Sequence, residues 1–165
     1  MISIWLIPAP EDAQYLQAII NNLAATYQAP VFSPHCTLYS PTDLPVAELK
    51  KILERSAEDT ISFVVDKEKI NHMENIWKTV FIELIRSPEL EQLQQAVISQ
   101  FPEGQPYEFL PHISLIYKKM PGKQKEDIIR NLHVKNYFKM DKIAAIRTEP
   151  NVDNWETVVE IPFHA

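Results

Sequence analysis

The sequence of 165 residues contains a single cysteine, Cys36. One thiol cannot form an internal disulfide, and without a second cysteine there is no Cys-x-x-Cys pair for a structural zinc site or a redox motif. Nothing in the cysteine content therefore requires an oxidising environment. The expected location is a reducing compartment, the cytoplasm.

Positive charge and long apolar runs are also scarce. The chain has 16 Lys and Arg against 22 Asp and Glu, a formal net charge of −6. Proteins that follow the phosphate backbone of long nucleic acids need clusters of Lys and Arg, so no long nucleic acid is expected as a partner. The apolar start, Ile2 to Ile7, is too short for a signal peptide or a membrane span, so no membrane association is expected. A small anionic substrate held by a few local contacts fits this composition.

Glycine is rarer still, with 2 residues against 13 prolines, so proline sets most of the turns. Between the turns, apolar residues at helical spacing predict four amphipathic helices. Ser87 followed by Pro88 is typical of a helix N-cap and first helical position. The predicted helices are Glu11 to Tyr27, Val46 to Ala57, Pro88 to about Phe101, and about Lys123 to Leu132.

Short β-rich runs predict about seven strands. They are Ile2 to Ile7, His35 to Tyr39, Ile61 to Ile70, Lys78 to Arg86, His112 to Tyr117, about Phe138 to Arg147, and Trp155 to Ile161. A polar turn separates the third run from the fourth, which predicts an antiparallel hairpin. Hairpins mixed with strand and helix units predict an α+β fold with largely antiparallel sheets, in one monomeric domain over residues 1–165.

A seven-residue segment occurs twice, as Phe32 to Leu38 (FSPHCTL) and as Phe109 to Leu115 (FLPHISL). Each copy places a hydroxyl residue two positions after a histidine, inside a predicted strand. Residues i and i+2 of a strand point to the same face. Each copy is therefore expected to present one imidazole and one hydroxyl on one face, while Cys36 points the other way, into the core.

Two such strands side by side would surround one cavity with two imidazoles and two hydroxyls, a set that suits a phosphodiester. Hydrolysis needs a base for the proton of water and an acid for the leaving oxygen, and histidine serves both roles near neutral pH. His35 and His112 are the candidate acid and base, in an order that the sequence leaves open. Thr37 and Ser114 can donate to the non-bridging phosphate oxygens. This scheme requires no metal and no other cofactor.

These two segments resemble the paired His-x-Thr/Ser motifs of the 2H phosphoesterase superfamily. Further segments over nearly the whole chain resemble its cyclic phosphodiesterase branch, namely Ser3 to Pro8, Val80 to Leu84, Leu115 to Tyr117 and Asn154 to Val158. The resemblance implies two lobes related by a pseudo-two-fold axis, with antiparallel sheets, outer helices and the active-site groove between them. It also implies metal-independent hydrolysis of ADP-ribose 1″,2″-cyclic phosphate to ADP-ribose 1″-phosphate, and of nucleoside 2′,3′-cyclic phosphates to 2′-phosphates.

The resemblance also assigns roles to residues. It implies that His35 and His112 are catalytic and that Thr37 and Ser114 bind the substrate phosphate. It further implies nucleotide contacts from the aromatic residues Trp5 and Tyr117. Strict alternation puts Tyr117 on the face opposite His112, so its role requires a strand end that bends or twists.

Three other features receive ordinary structural interpretations. A zinc site is not expected, because Cys36 points away from His35 and neither motif contains Asp or Glu. The basic residues from Lys118 to Arg130 are expected to form a solvated helix face. The remaining histidines are expected to be surface or packing residues: His72, His133 and His164.

Two other functions remain open at this level. One is an enzyme of the same superfamily that acts on RNA ends or on 2′,5′-phosphodiesters, which the negative charge disfavours. The other is a nucleotide-binding module that has the fold but does not catalyse, which two intact motifs disfavour. For the favoured function, the expected partner is a small cyclic-phosphate nucleotide as the substrate.

Overall fold

The computed structural model describes residues 1–101 and 106–165. In these residues the chain forms seven strands and four α-helices, which confirms the predicted number and the mixed α+β class. The strands are β1 (Ile2–Pro8), β2 (Cys36–Thr42), β3 (Phe63–His72), β4 (Val80–Leu84), β5 (His112–Ile116), β6 (Tyr137–Arg147) and β7 (Glu156–Pro162). The helices are α1 (Pro10–Tyr27), α2 (Val46–Ala57), α3 (Pro88–Ile98) and α4 (Gly122–Asn131). The turn predicted at Pro102 lies outside the described residues.

Every pair of neighbouring strands is antiparallel, in the order β2-β1-β6-β3-β4-β5, with β7 also on β6. The long strand β6 joins two lobes. Its first residues, 137–140, pair with β3, whereas its later residues pair with β1 on one side and with β7 on the other. One lobe is therefore β2-β1-β6-β7, and the other is β5-β4-β3 with the start of β6.

The chain order contains the same unit twice. The series β1-α1-β2-α2-β3 is followed by β4-α3-β5-α4-β6. In each unit the first two strands pair with each other, and the last strand pairs with the first strand of the other unit. The helices are exchanged as well, because α1 packs on β5 and α3 packs on β2. This arrangement agrees with the predicted pair of pseudo-two-fold-related lobes.

Alternation along β1 separates the core from the groove between the lobes. Ile4 and Leu6 are fully buried in the main core, and each such side chain contributes about 1.5–3 kcal/mol through burial. Ser3 and Trp5 point to the opposite face, where they line the cavity described below. One strand thus contributes to both the stability of the sheet and the wall of the groove.

The ends of two helices show how well local patterns predict structure. Helix α2 has the predicted bounds, because Pro45 precedes its first turn and Leu49, Ile52 and Leu53 form its buried stripe. Helix α3 begins after Ser87, whose side chain accepts a hydrogen bond from the backbone N–H of Leu90. The predicted N-cap is confirmed.

The predicted solvated basic face is wrong at Lys125. This residue is 2% exposed, and its ammonium group donates to the carbonyl of Met73 at 2.8 Å and to the carboxylate of Glu74 at 3.1 Å. The turn between β3 and β4 lies over α4, and its acceptors replace the water that the ammonium loses on burial. Helical periodicity cannot show such a turn, because it comes from a distant segment.

None of the helices in the described part of the chain is both long enough and apolar enough to cross a lipid bilayer.

Candidate functional site

A cavity of about 700 Å³ lies between the two lobes, and both copies of the repeated segment reach it. All six residues predicted for the site line this cavity. Among the residues that the structure describes, the lining is formed by Met1, Ser3, Trp5, His35, Thr37, Ser40, Asn75, Trp77, Lys78, Tyr107, His112, Ser114, Tyr117, Thr148, Glu149, Pro150 and Trp155. The fold therefore brings together two motifs that are far apart in the sequence.

The two histidines are oriented by the same kind of hydrogen bond. His35 Nδ1 donates to the carbonyl of Ser33 at 2.8 Å, and His112 Nδ1 donates to the carbonyl of Leu110 at 2.6 Å. A carbonyl can only accept, so Nδ1 carries the hydrogen in each ring, and Nε2 of the neutral imidazole holds the lone pair. Each motif thus uses its own backbone to select the tautomer and to leave Nε2 for proton transfer.

The environments of the two rings differ. His35 is 7% exposed and stacks on Trp5, with ring centroids 3.4 Å apart and planes 5° from parallel. Burial lowers the pKa of His35 to about 3, because the charged imidazolium loses its hydration. His112 is half-buried, and burial lowers its pKa as well; the hydrogen bond to Leu110 raises it, the charge of Lys78 lowers it, and the carboxylate of Glu83 raises it. The ring that holds a proton more readily is His112.

The hydroxyl residues lie beside the histidines, as the strand alternation predicts. Thr37 is opposite Trp5 in the β1–β2 ladder and lines the cavity, whereas Cys36 is fully buried in the core. Ser114 also lines the cavity, and its Oγ donates to the carbonyl of Trp77 at 2.6 Å. A hydroxyl has one proton, so Ser114 can donate to a phosphate oxygen only by exchanging this bond.

Tyr117 reaches the cavity because β5 is shorter than predicted. The strand ends at Ile116, so alternation no longer sets the direction of the next side chain. The ring of Tyr117 stacks on Phe32, with centroids 3.8 Å apart and planes 20° from parallel. The departure from strict alternation that the predicted role of Tyr117 requires is therefore present, and Tyr117 lines the same cavity as His112.

Several lining residues were not predicted from the sequence, and two tryptophans stand out among them. The 3 tryptophans of the chain all line the cavity. The ring of Trp155 lies 5.5 Å from that of Trp5 and 5.8 Å from that of Trp77. Trp77 is 41% exposed and occupies the polar turn between β3 and β4. A large aromatic residue in a polar turn was the signal that could have identified it.

The other three histidines of the chain stay outside the site. His72, His133 and His164 do not line the cavity. Across residues 1–101 and 106–165, no three His, Cys, Asp or Glu side chains come together in an arrangement that could hold a metal ion. The arrangement in the cavity is a pair of imidazoles with two hydroxyls and an aromatic wall. Such a set can transfer protons on either side of a bound phosphate.

Acidification is expected to destabilise the native protein through His35. Its folded-state pKa of about 3 lies below the value of about 6.5 in an unfolded chain, so the unfolded chain binds the proton first. The contribution of this group to the free energy of unfolding is complete above about pH 6.5 and is lost as the pH falls toward about 3. The loss is about 2 kcal/mol between about pH 7.5 and about pH 5. Urea unfolding at both pH values measures this change in the free energy of unfolding. His35→Asn removes this titration, so an equal fall in the variant and the wild type would contradict the prediction.

Comparison with known proteins gives four findings. A family model described as cyclic phosphodiesterase-like protein matches residues 1–163. The cyclic phosphodiesterase of Arabidopsis thaliana is 21% identical in an alignment 165 positions long, which covers 94% of this chain and 91% of that protein. Escherichia coli LigT in its apo form superposes with a TM-score of 0.67 and 13% identity, over 99% of this chain and 97% of that one. TT0787 of Thermus thermophilus superposes with a TM-score of 0.70 and 14% identity, over 98% and 97%. The two superpositions confirm the fold that the paired motif implies.

Proposed function

The chain belongs to the cyclic phosphodiesterase-like family, and we propose that it hydrolyses cyclic phosphodiesters of small nucleotides without a metal ion. The proposed substrates are ADP-ribose 1″,2″-cyclic phosphate, which would give ADP-ribose 1″-phosphate, and nucleoside 2′,3′-cyclic phosphates, which would give 2′-phosphates. The curated relative from Arabidopsis thaliana is itself named a cyclic phosphodiesterase.

One observation carries the proposal. Two imidazoles, each with Nδ1 bonded to the backbone carbonyl two residues earlier, line one cavity together with two hydroxyls. A structural histidine needs a partner for its ring, but it does not need a second histidine held in the same way in the same cavity. The matched pair provides the two proton-transfer groups that in-line opening of a phosphodiester requires.

We assign the base to His35 and the acid to His112. With a pKa of about 3, the ring of His35 is neutral near neutral pH, and its Nε2 can accept the proton of an attacking water. His112 is less buried, and its two charged neighbours act in opposite directions, since Lys78 lowers its pKa and Glu83 raises it. The negative charge of a bound phosphate favours the protonated form of a nearby imidazole, so His112 can supply the other proton.

The proposed hydrolysis is a single displacement at phosphorus with two proton transfers. The oxygen of water forms a bond to phosphorus while Nε2 of His35 takes one proton of that water. The ring bond between phosphorus and the leaving oxygen breaks, and this oxygen receives the proton from Nε2 of His112. Exchange of protons with solvent restores both rings for the next cycle.

The hydroxyl and aromatic residues complete the proposed site. Thr37 and Ser114 would donate to the non-bridging oxygens, with Ser114 exchanging its bond to Trp77. Tyr117 would contact the nucleotide. One face of Trp5 is covered by His35, so Trp5 would contact the nucleotide only through its other face or its edge, and it supports the ring of His35 in addition.

The size of the cavity fits a small nucleotide. Sites for small molecules usually occupy about 300–1,000 Å³, and this cavity of about 700 Å³ falls in that range. The net charge of −6 disfavours contact with a long phosphate backbone. Both features favour small cyclic phosphates as the substrates of the proposed enzyme.

A product assay in the presence of EDTA tests this function directly. The purified protein would receive ADP-ribose 1″,2″-cyclic phosphate, nucleoside 2′,3′-cyclic phosphates and a 2′,5′-linked dinucleotide. We expect turnover of the cyclic compounds at the same rate with and without the chelator.

Three results would contradict the proposal. Loss of activity on chelation would show that a metal takes part. Turnover of the linear dinucleotide alone would indicate a 2′,5′-phosphodiesterase. Binding of these compounds with no turnover of any of them would indicate a binding module.

A further inference from the structure

The turn between β3 and β4 brings two residues to the cavity that neither motif contains, Trp77 and Lys78. Lys78 is the one Lys or Arg among the described residues that line the cavity. We propose that Lys78 binds the phosphate of the substrate on the side of the cavity formed by Ser114. This inference rests on the proposed function, because it takes the substrate to carry a phosphate.

The turn is fastened on both sides, so that Lys78 has a defined place. From the cavity side, Ser114 Oγ donates to the carbonyl of Trp77, the residue just before Lys78, at 2.6 Å, a bond that is released when Ser114 donates to a phosphate oxygen. From the other side, the buried ammonium of Lys125 donates to the carbonyl of Met73 at 2.8 Å and to Glu74 at 3.1 Å. A binding group on an anchored turn loses less conformational entropy when it engages a ligand.

The position of Lys78 is next to the second motif. Ser114 lies two residues after His112 in β5 and points to the same face, and Ser114 contacts the residue adjacent to Lys78. In agreement with this geometry, the charge of Lys78 lowers the pKa of His112. The ammonium is therefore close to the part of the cavity where the leaving oxygen is protonated in the proposed mechanism.

The charge of Lys78 is available to a ligand. Over residues 1–101 and 106–165, the ion pairs that form do not include Lys78. The cavity also has a carboxylate, Glu149, in its lining, and the whole chain is negative. An anionic substrate thus enters an unfavourable field, and one ammonium beside the hydroxyls would offset it.

The test compares the affinities of variants for adenosine 2′-phosphate, measured by isothermal titration calorimetry at low salt. Lys78→Met keeps the length of the side chain and removes its charge. We expect its dissociation constant to rise about tenfold or more, since a charge-assisted hydrogen bond to phosphate is lost. Lys78→Arg should stay within about threefold of the wild type. The matched control is Lys119→Met, an exposed residue that does not line the cavity, and it should bind as the wild type does.

Several results would overturn the inference. These are a Lys78→Met affinity equal to that of Lys119→Met, an Arg variant as weak as the Met variant, or a wild type that does not bind the phosphate at all. Thermal unfolding of each variant shows whether the turn and the fold are intact. Failure of this inference is distinguishable from failure of the proposed function. If the protein binds the phosphate through Lys78 but turns over no cyclic phosphate, the inference stands and the proposed activity fails. If the protein turns over cyclic phosphates but its affinity does not depend on Lys78, the proposed activity stands and the inference fails.

Discussion

Replacement of His112 by asparagine is expected to lower kcat/KM for a nucleoside 2′,3′-cyclic phosphate by about 10²- to 10⁴-fold, the usual contribution of a positioned proton donor. Asparagine is a suitable replacement because its side-chain amide can donate to the carbonyl of Leu110, the bond that His112 Nδ1 makes at 2.6 Å. The variant keeps this anchor and loses Nε2, the atom that gives the proton to the leaving oxygen.

A change of leaving group identifies the missing step in this variant. In a 3′-thio analogue, sulfur replaces the leaving oxygen, and a thiolate leaves without needing a proton. We expect His112→Asn to hydrolyse the thio analogue nearly as fast as the wild type does. The control is His133→Asn, because His133 is exposed and does not line the cavity. An equal loss of activity on both substrates would contradict the role of His112 as the acid.

Replacement of His35 by asparagine is expected to cause a loss of similar size, about 10²- to 10⁴-fold in kcat/KM, for the opposite reason. Here the missing Nε2 is the base that activates water, and asparagine can retain the hydrogen bond to the carbonyl of Ser33. The attack step needs this base whichever atom leaves. The thio analogue should therefore not rescue His35→Asn.

The two variants together assign the base and the acid. Rescue of His35→Asn and no rescue of His112→Asn would reverse the assignment, and full activity in either variant would refute the mechanism. His35 is 7% exposed and stacks on Trp5, so its replacement also removes packing. Kinetics should therefore be measured on protein whose unfolding transition shows that it is folded.

Local sequence patterns predicted most of the elements because the forces behind them are local. The stripe of Leu49, Ile52 and Leu53 with Pro45 before it predicts α2 at its observed bounds. Alternation predicts that His35 and Thr37 share the cavity face while Cys36 enters the core. These predictions depend only on the period of a helix or a strand.

The errors occurred where a distant segment decides the outcome. Lys125 belongs to a helix with a polar pattern, yet the turn from Met73 to Thr79 covers it and accepts its hydrogen bonds. Tyr117 enters the cavity because β5 ends one residue earlier than its β-rich pattern suggests. Trp77 and Lys78 join the site because the same turn reaches the other side of the groove.

The groups on which the proposed chemistry depends can be identified from the sequence alone, since two His-x-Thr/Ser segments specify two imidazoles and two hydroxyls whatever the fold around them. The tertiary structure decided how these equivalent groups differ. Trp5 comes from another strand to cover His35, whereas His112 stays half-buried beside Glu83 and near Lys78. Burial and neighbouring charge set the pKa of each imidazole. Both depend on segments far away in the chain, so the proposed division into base and acid can be argued only from the folded protein.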